Sequence, residues 1–182
     1  MKLVSMEKIG GDYLKSYHIT YENKEGGRKT YETVSREDNL DVNALGTKVN
    51  AVMIVPFVGD KVLMSKEFRM SVNREIYNFP AGLIDKGETI EEAAVRELKE
   101  ETGLDVIRAI KTLPPSFSSI GISDEKVSVV FVEATGDLTG SDNANEEIES
   151  HLYSREELRD LVENSDNMCS RTQLISLLIL YK

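Results

Sequence analysis

The chain has no tryptophan, a single cysteine, two histidines and four prolines in 182 residues. The lone Cys169 excludes an internal disulfide and suits a reducing compartment. It is read as a packed small residue, because a thiolate nucleophile needs a base and no histidine lies near it in sequence. His18 falls in a predicted hairpin and His151 beside the segment "SHLYS". Neither suggests a metal ligand of the imidazole type. Positive charge is also scarce: 22 Lys and Arg stand against 32 Asp and Glu, a net charge of −10. That balance excludes diffuse binding to nucleic acid or to an anionic membrane. An acidic protein that handles phosphates needs a local remedy, either bound cations or a few placed bases. No apolar run reaches the roughly 18 residues of a membrane span. The opening "MKLVSMEKIGGDYLK" lacks the apolar region of a signal peptide. A soluble, cytoplasmic protein is expected.

Hydrophobic residues make up 40% of the chain and charged residues 30%, enough for a packed core. There is no internal repeat and no low-complexity stretch. Alternation around "KEGG" in residues 13–36 predicts a β-hairpin. "VNAVMIVPFV" and "VLMSKEFRM", joined by Gly59-Asp60, predict two paired strands. "EIYNFPAGLID" reads as a short strand that breaks at Pro80-Ala81-Gly82, and "EKVSVVFVEAT" as a further strand. "GDLTGSDNANEEIE" reads as a polar loop. "SREELRDLVENS" and "SRTQLISLLILYK" predict two helices with Ser154 and Ser170 as N-caps. Residues 1–45 form a candidate β-appendage, and residues 46–182 the main domain.

The informative segment is "GLIDKGETIEEAAVRELKEETGL", residues 82–104. Thr89 and Glu92 make a capping box, Glu91 favours the positive helix start, and Gly103 ends the helix. Projected at about 100° per residue, Ile90, Ala93, Ala94, Val95 and Leu98 form an apolar arc. Glu92, Arg96 and Lys99 lie opposite. Glu97 and Glu101 fall inside the apolar arc and Glu100 borders it. The first two are stacked like charges four residues apart, and Glu100 and Glu101 oppose the helix dipole. Arg96 reaches Glu100, but Lys99 points away from Glu97 and Glu101. A solvated acidic helix is the competing reading. A hard divalent cation relieves the conflict most simply, because the available donors are carboxylate oxygens.

These residues resemble the Nudix box, G-x5-E-x7-R-E-U-x-E-E-x-G-U with U aliphatic. Here it is Gly82, Glu88, Arg96-Glu97-Leu98, Glu100-Glu101 and Gly103-Leu104. The resemblance implies an α/β fold, an α/β/α sandwich around a mixed β-sheet with an N-terminal β-hairpin appendage. It implies Mg²⁺-dependent hydrolysis of a nucleoside diphosphate linked to another group, with Mn²⁺ as a substitute. By the family pattern Glu97, Glu100, Glu101 and the carbonyl of Ala81 hold the metal, Arg96 orients the glutamates, and Glu88 supports the loop and helix. Metals bridging diphosphate oxygens neutralise charge and activate water, which matches the excess of carboxylates.

The flanks look like the ADP-ribose pyrophosphatase branch, in which a "QYR"-like strand precedes "ELPAGLID". Arg69 matches that arginine and is a candidate ligand of a substrate phosphate. "NEEIE" resembles "NEDIE" of that branch, which makes Glu146 the candidate general base and Glu147 the runner-up. Two positions depart from the branch: Ile120 stands where proline is usual, and Asn78 where glutamate is frequent. Both bear on the sugar rather than on the metal site. The resemblance implies a homodimer formed through the N-terminal β-region and acting on a small nucleotide-sugar substrate. Two other readings are a house-cleaning hydrolase of another nucleotide and a non-hydrolytic nucleotide sensor. The latter usually has an eroded box, and this box is intact.

Overall fold

The computed structural model describes residues 1–141 and 147–181. The strands are β1 (Lys2–Gly10), β2 (Lys15–Glu22), β3 (Arg28–Ser35), β4 (Ala51–Val58), β5 (Lys61–Arg69), β6 (Arg74–Asn78), β7 (Ala81–Leu83), β8 (Asp105–Thr112), β9 (Ser116–Phe117), β10 (Lys126–Thr135) and β11 (Ile148–Tyr153). The helices are α1 (Ile90–Thr102), α2 (Arg155–Asn164) and α3 (Ser170–Leu180). The chain divides into two compact units: Met1–Ala51 with Pro115–Val127, and Val52–Pro114 with Ser128–Lys182. Among the described residues no helix is long and apolar enough to cross a membrane.

In the first unit, β1, β2 and β3 form an antiparallel sheet in that order. The expected hairpin is β2–β3. Asn23 closes its turn by accepting from the backbone N–H groups of Glu25 and Gly27 at 2.9 and 2.8 Å. Tyr17 and Ile19 alternate on one face of β2 and pack with Leu40, Leu3 and Met6. The appendage has a third strand that the alternation rule did not find. Irregularities in the β1–β2 register at Leu3/Ser5 and Lys8/Gly10 break the two-residue period by which a strand is recognised.

In the second unit the main path of the sheet runs β11-β5-β4-β10-β8. β4 and β10 are apolar on both faces. Val52, Ile54, Leu63, Val130 and Val132 pack against Ala93, Ala94 and Leu98 of α1. Met64, next to Leu63 in β5, reaches Ser176 of α3. Successive strand residues point to opposite faces, so α1 and α3 cover opposite sides of the sheet. β8 was not anticipated either. It is an edge strand exposed along most of its length, and its "DVIRAIKT" lacks a buried alternation.

The helix boundaries follow their caps. Thr89 and Ser154 each complete a capping box, with Glu92 and Glu157. Gly103 takes the left-handed conformation at φ 81°. The cap of α3 is Cys169 rather than Ser170: its Sγ accepts from Thr172 N at 3.5 Å. Val95, placed in the apolar arc by projection, is 49% exposed, because the arc that touches the sheet is narrower than the run of apolar residues.

Leu98 is fully buried between α1 and the sheet. Leu98→Ala is expected to destabilise the chain by about 2–5 kcal/mol, read from the midpoint shift in urea unfolding.

Candidate functional site

The site begins where a strand changes partner. One edge of β5 pairs with β11 from Val62 to Glu67. The other edge is shared: β4 takes Lys61 and Val62, and β6 takes Ser65 to Arg69. The chain then crosses from β5 to β4, where Ile54 N donates to Pro80 O at 2.8 Å and β7 pairs with β4. The crossing brings Ala81 and Gly82 against α1. A Cβ on Gly82 would stand 1.9 Å from the carboxyl carbon of Glu97. The Glu97 carboxylate rests on the bare backbone, and a side chain at 82 would have to push it aside.

Arg96 organises the acids. Its Nε and Nη2 donate to the two oxygens of Glu88 at 2.9 and 2.8 Å. Nη2 also donates to Leu83 O at 2.9 Å. Nη1 donates to Glu97 at 2.8 Å and to Glu100 at 3.3 Å. Glu88 accepts in addition from Asp85 N at 3.0 Å. The helix projection had placed Arg96 on the solvated face. Only 27% of its side chain is exposed, because the loop 83–88 folds over it. The bonds to Glu88 and Glu97 hold its protonation constant far above its ordinary value, so it stays a fixed cation. Arg96, followed by the backbone N–H of Asp85, holds the Glu88 carboxyl below the usual carboxylate range.

The carboxylates around Arg96 outnumber it. Glu88, Glu97 and Glu100 share one arginine, and Lys99 is spent on Gly103 O and Asp105. Among the described residues no group of three or more His, Cys, Asp or Glu converges into a ligand set. Glu97 and Glu100 are instead gathered on the Nη1 edge of Arg96. The donor chemistry fits a hard divalent cation even so. The donors are all oxygens, Glu97 is seated on the Gly82 backbone, and the net charge is negative.

The other expected residues fall on β5 and its neighbour. Leu63, Ser65, Glu67 and Arg69 alternate on one face of β5. Arg69 ends β5 and is exposed. Glu147 stands next to it along the strand edge: its carbonyl accepts from Phe68 N at 3.1 Å. Glu146 lies outside the described residues. His18 and His151 sit on exposed or half-exposed strand positions, 3.7 Å from Glu32 and 3.8 Å from Glu149. Sequence reasoning missed Glu67, which bonds Arg69 and Asn78. The available signal was its spacing of two from Arg69 on a strand.

The Nudix domain family matches residues 47–171. An ADP-sugar pyrophosphatase of Mus musculus is 32% identical over 146 residues, covering 76% of this chain and 64% of that protein. An ADP-ribose pyrophosphatase of Saccharomyces cerevisiae is 37% identical over 94 residues, covering 52% and 40%. The chain thus spans less than two thirds of the length of these two relatives. A crystal structure of an ADP compounds hydrolase superposes with a TM-score of 0.75 at 25% identity, covering 99% of this chain and 91% of that one.

Gly82→Ala is expected to displace the Glu97 carboxylate, read from a crystal structure of the variant, while the midpoint of thermal unfolding stays nearly unchanged. The Glu88–Arg96 pair gives a pH signature. The folded Glu88 carboxyl loses its proton below its ordinary value of 4.5. Its contribution is therefore complete above that value and is lost as pH falls through the lower, folded value. The stability difference between the wild-type chain and Glu88→Gln should be constant near neutrality and shrink below about pH 4.5, as read by urea unfolding across pH.

Proposed function

The chain belongs to the Nudix family, and from that premise we propose that it hydrolyses the diphosphate linkage of ADP-ribose or a related nucleoside diphosphate sugar. The products are a nucleoside monophosphate and a sugar phosphate. The observation that carries the reading is Glu97: a largely buried carboxylate seated on Gly82, held by Arg96 and flanked by Glu100 and Glu101. The names of the mouse and yeast relatives support the substrate class.

In this reading Ala81, through its carbonyl, and Glu97, Glu100 and Glu101 hold Mg²⁺, or Mn²⁺ in its place. The metal supplies neutralisation of the diphosphate and acidification of a bound water. Arg96 has no part in proton transfer, since it remains protonated. Its role is to hold Glu97 and Glu100 at fixed positions while Glu88 anchors it to the loop. Arg69 binds a phosphate of the substrate from the end of β5. A glutamate of the loop before β11, Glu146 or else Glu147, accepts the proton of the attacking water. Residues 1–45 serve dimerisation between identical chains, and residues 46–182 carry the hydrolase.

The test is a product analysis with Mg²⁺ over ADP-ribose, ADP-glucose, GDP-mannose, dinucleoside polyphosphates and nucleoside triphosphates. ADP-ribose or another nucleoside diphosphate sugar should turn over fastest. Tight binding without turnover of any member would sink the reading. Glu101→Gln should lose at least about a hundredfold in kcat, with an unchanged unfolding midpoint. Activity equal to the wild type would remove Glu101 from the metal site.

A further inference from the structure

Arg69 is not a free-swinging side chain. Its Nε donates to Glu67 Oε1 at 2.8 Å. The same oxygen accepts from Asn78 Nδ2 at 3.2 Å. The other end of the Asn78 amide accepts from Thr172 Oγ1 at 2.6 Å. Asn78 and Thr172 are both buried, and the Glu67 side chain is only 16% exposed. In the β5–β6 register Asn78 opposes Ser65 and Ile76 opposes Glu67, so Glu67 and Asn78 are diagonal neighbours on one face. The order of the contacts is informative. Thr172, a donor here, fixes which end of the Asn78 amide faces Glu67. The amide N–H then fixes the carboxylate, and the carboxylate fixes the guanidinium.

We propose that Glu67 is a positioning residue that holds Arg69 ready for a substrate phosphate. This rests on the reading of Arg69 given above. Glu67 engages only the Nε edge. Among the described residues Nη1 and Nη2 of Arg69 make no hydrogen bond, and 48% of that side chain is exposed. Two parallel N–H groups on one guanidinium edge are what a phosphate takes in a bidentate pair. A carboxylate beside an arginine can act in two opposed ways. It can neutralise the cation and weaken anion binding, or it can fix the rotamer and strengthen it by removing the entropy of ordering. Contact at a single edge, through a carboxylate itself held by a buried amide, favours the second.

The sign of one measurement separates them. Calorimetric binding of ADP in the presence of EDTA reads the phosphate contact without turnover. Arg69→Ala should weaken ADP binding about tenfold and Glu67→Gln about fivefold, and the double variant should be no weaker than Arg69→Ala alone. With the best substrate and Mg²⁺, Glu67→Gln should raise KM by a similar factor and leave kcat within about twofold. Glu67→Asp should not restore binding, because a side chain shorter by one methylene does not reach both Arg69 and Asn78. Tighter ADP binding by Glu67→Gln would overturn the proposal, and so would additive losses in the double variant. Unchanged ADP binding by Arg69→Ala would overturn the phosphate role of Arg69 itself and the positioning role with it. Absence of ADP-ribose turnover would strike only the substrate reading, since the ADP measurement stands apart from it.

Discussion

Much of this site hangs on one guanidinium. Arg96 donates both to the loop before α1, at Glu88 and Leu83, and to two glutamates on the helix. The loop partners fix where it sits, and its fixed charge offsets part of the repulsion between the helix carboxylates. Replacing it with lysine would keep the charge and lose the planar fork that reaches four acceptor groups in different directions. The cost of crowding acids on this helix is offset only in part, by contacts within the span of residues 83–100.

The sheet supplies the second constraint. β5 cannot pair with β4 over its whole length, because β6 occupies the far part of the same edge. The chain must therefore step across at Pro80, and that step delivers a glycine to the underside of α1. A Cβ at that point would displace the Glu97 carboxylate from the position it holds. The same split leaves the end of β5 extending past β4, where Arg69 and the start of β11 come together. One irregularity in pairing thus locates both the carboxylate seat and the candidate phosphate contact.

The two arginines are held by similar means. Each has a part-buried glutamate on its Nε, and each of those glutamates accepts a second bond, from Asp85 N in one case and from the Asn78 amide in the other. In both cases a carboxylate fixed by a second donor fixes the arginine. They differ in what is left over. Arg96 is saturated by its neighbours and acts as a scaffold, whereas among the described residues Arg69 keeps an open edge.

The sequence by itself determined the features that depend on short-range spacing. The capping boxes at Thr89 and Ser154, the left-handed end at Gly103 and the placement of Glu97, Glu100 and Glu101 follow from helical geometry over a few residues. The paired strands β4 and β5 follow from apolar runs around a glycine turn. Where short-range rules were interrupted they failed. β1 was hidden by its bulged register, β8 by its exposure, and the cap of α3 by a sulfur acceptor outside the usual set. The burial of Arg96 depends on how the loop 83–88 closes over the helix, which no angular projection contains. The bond between Glu67 and Asn78 spans eleven residues, and that between Asn78 and Thr172 spans ninety-four. Contacts at such separations exist only because β5, β6 and the start of α3 meet in space, so only the tertiary structure could decide them.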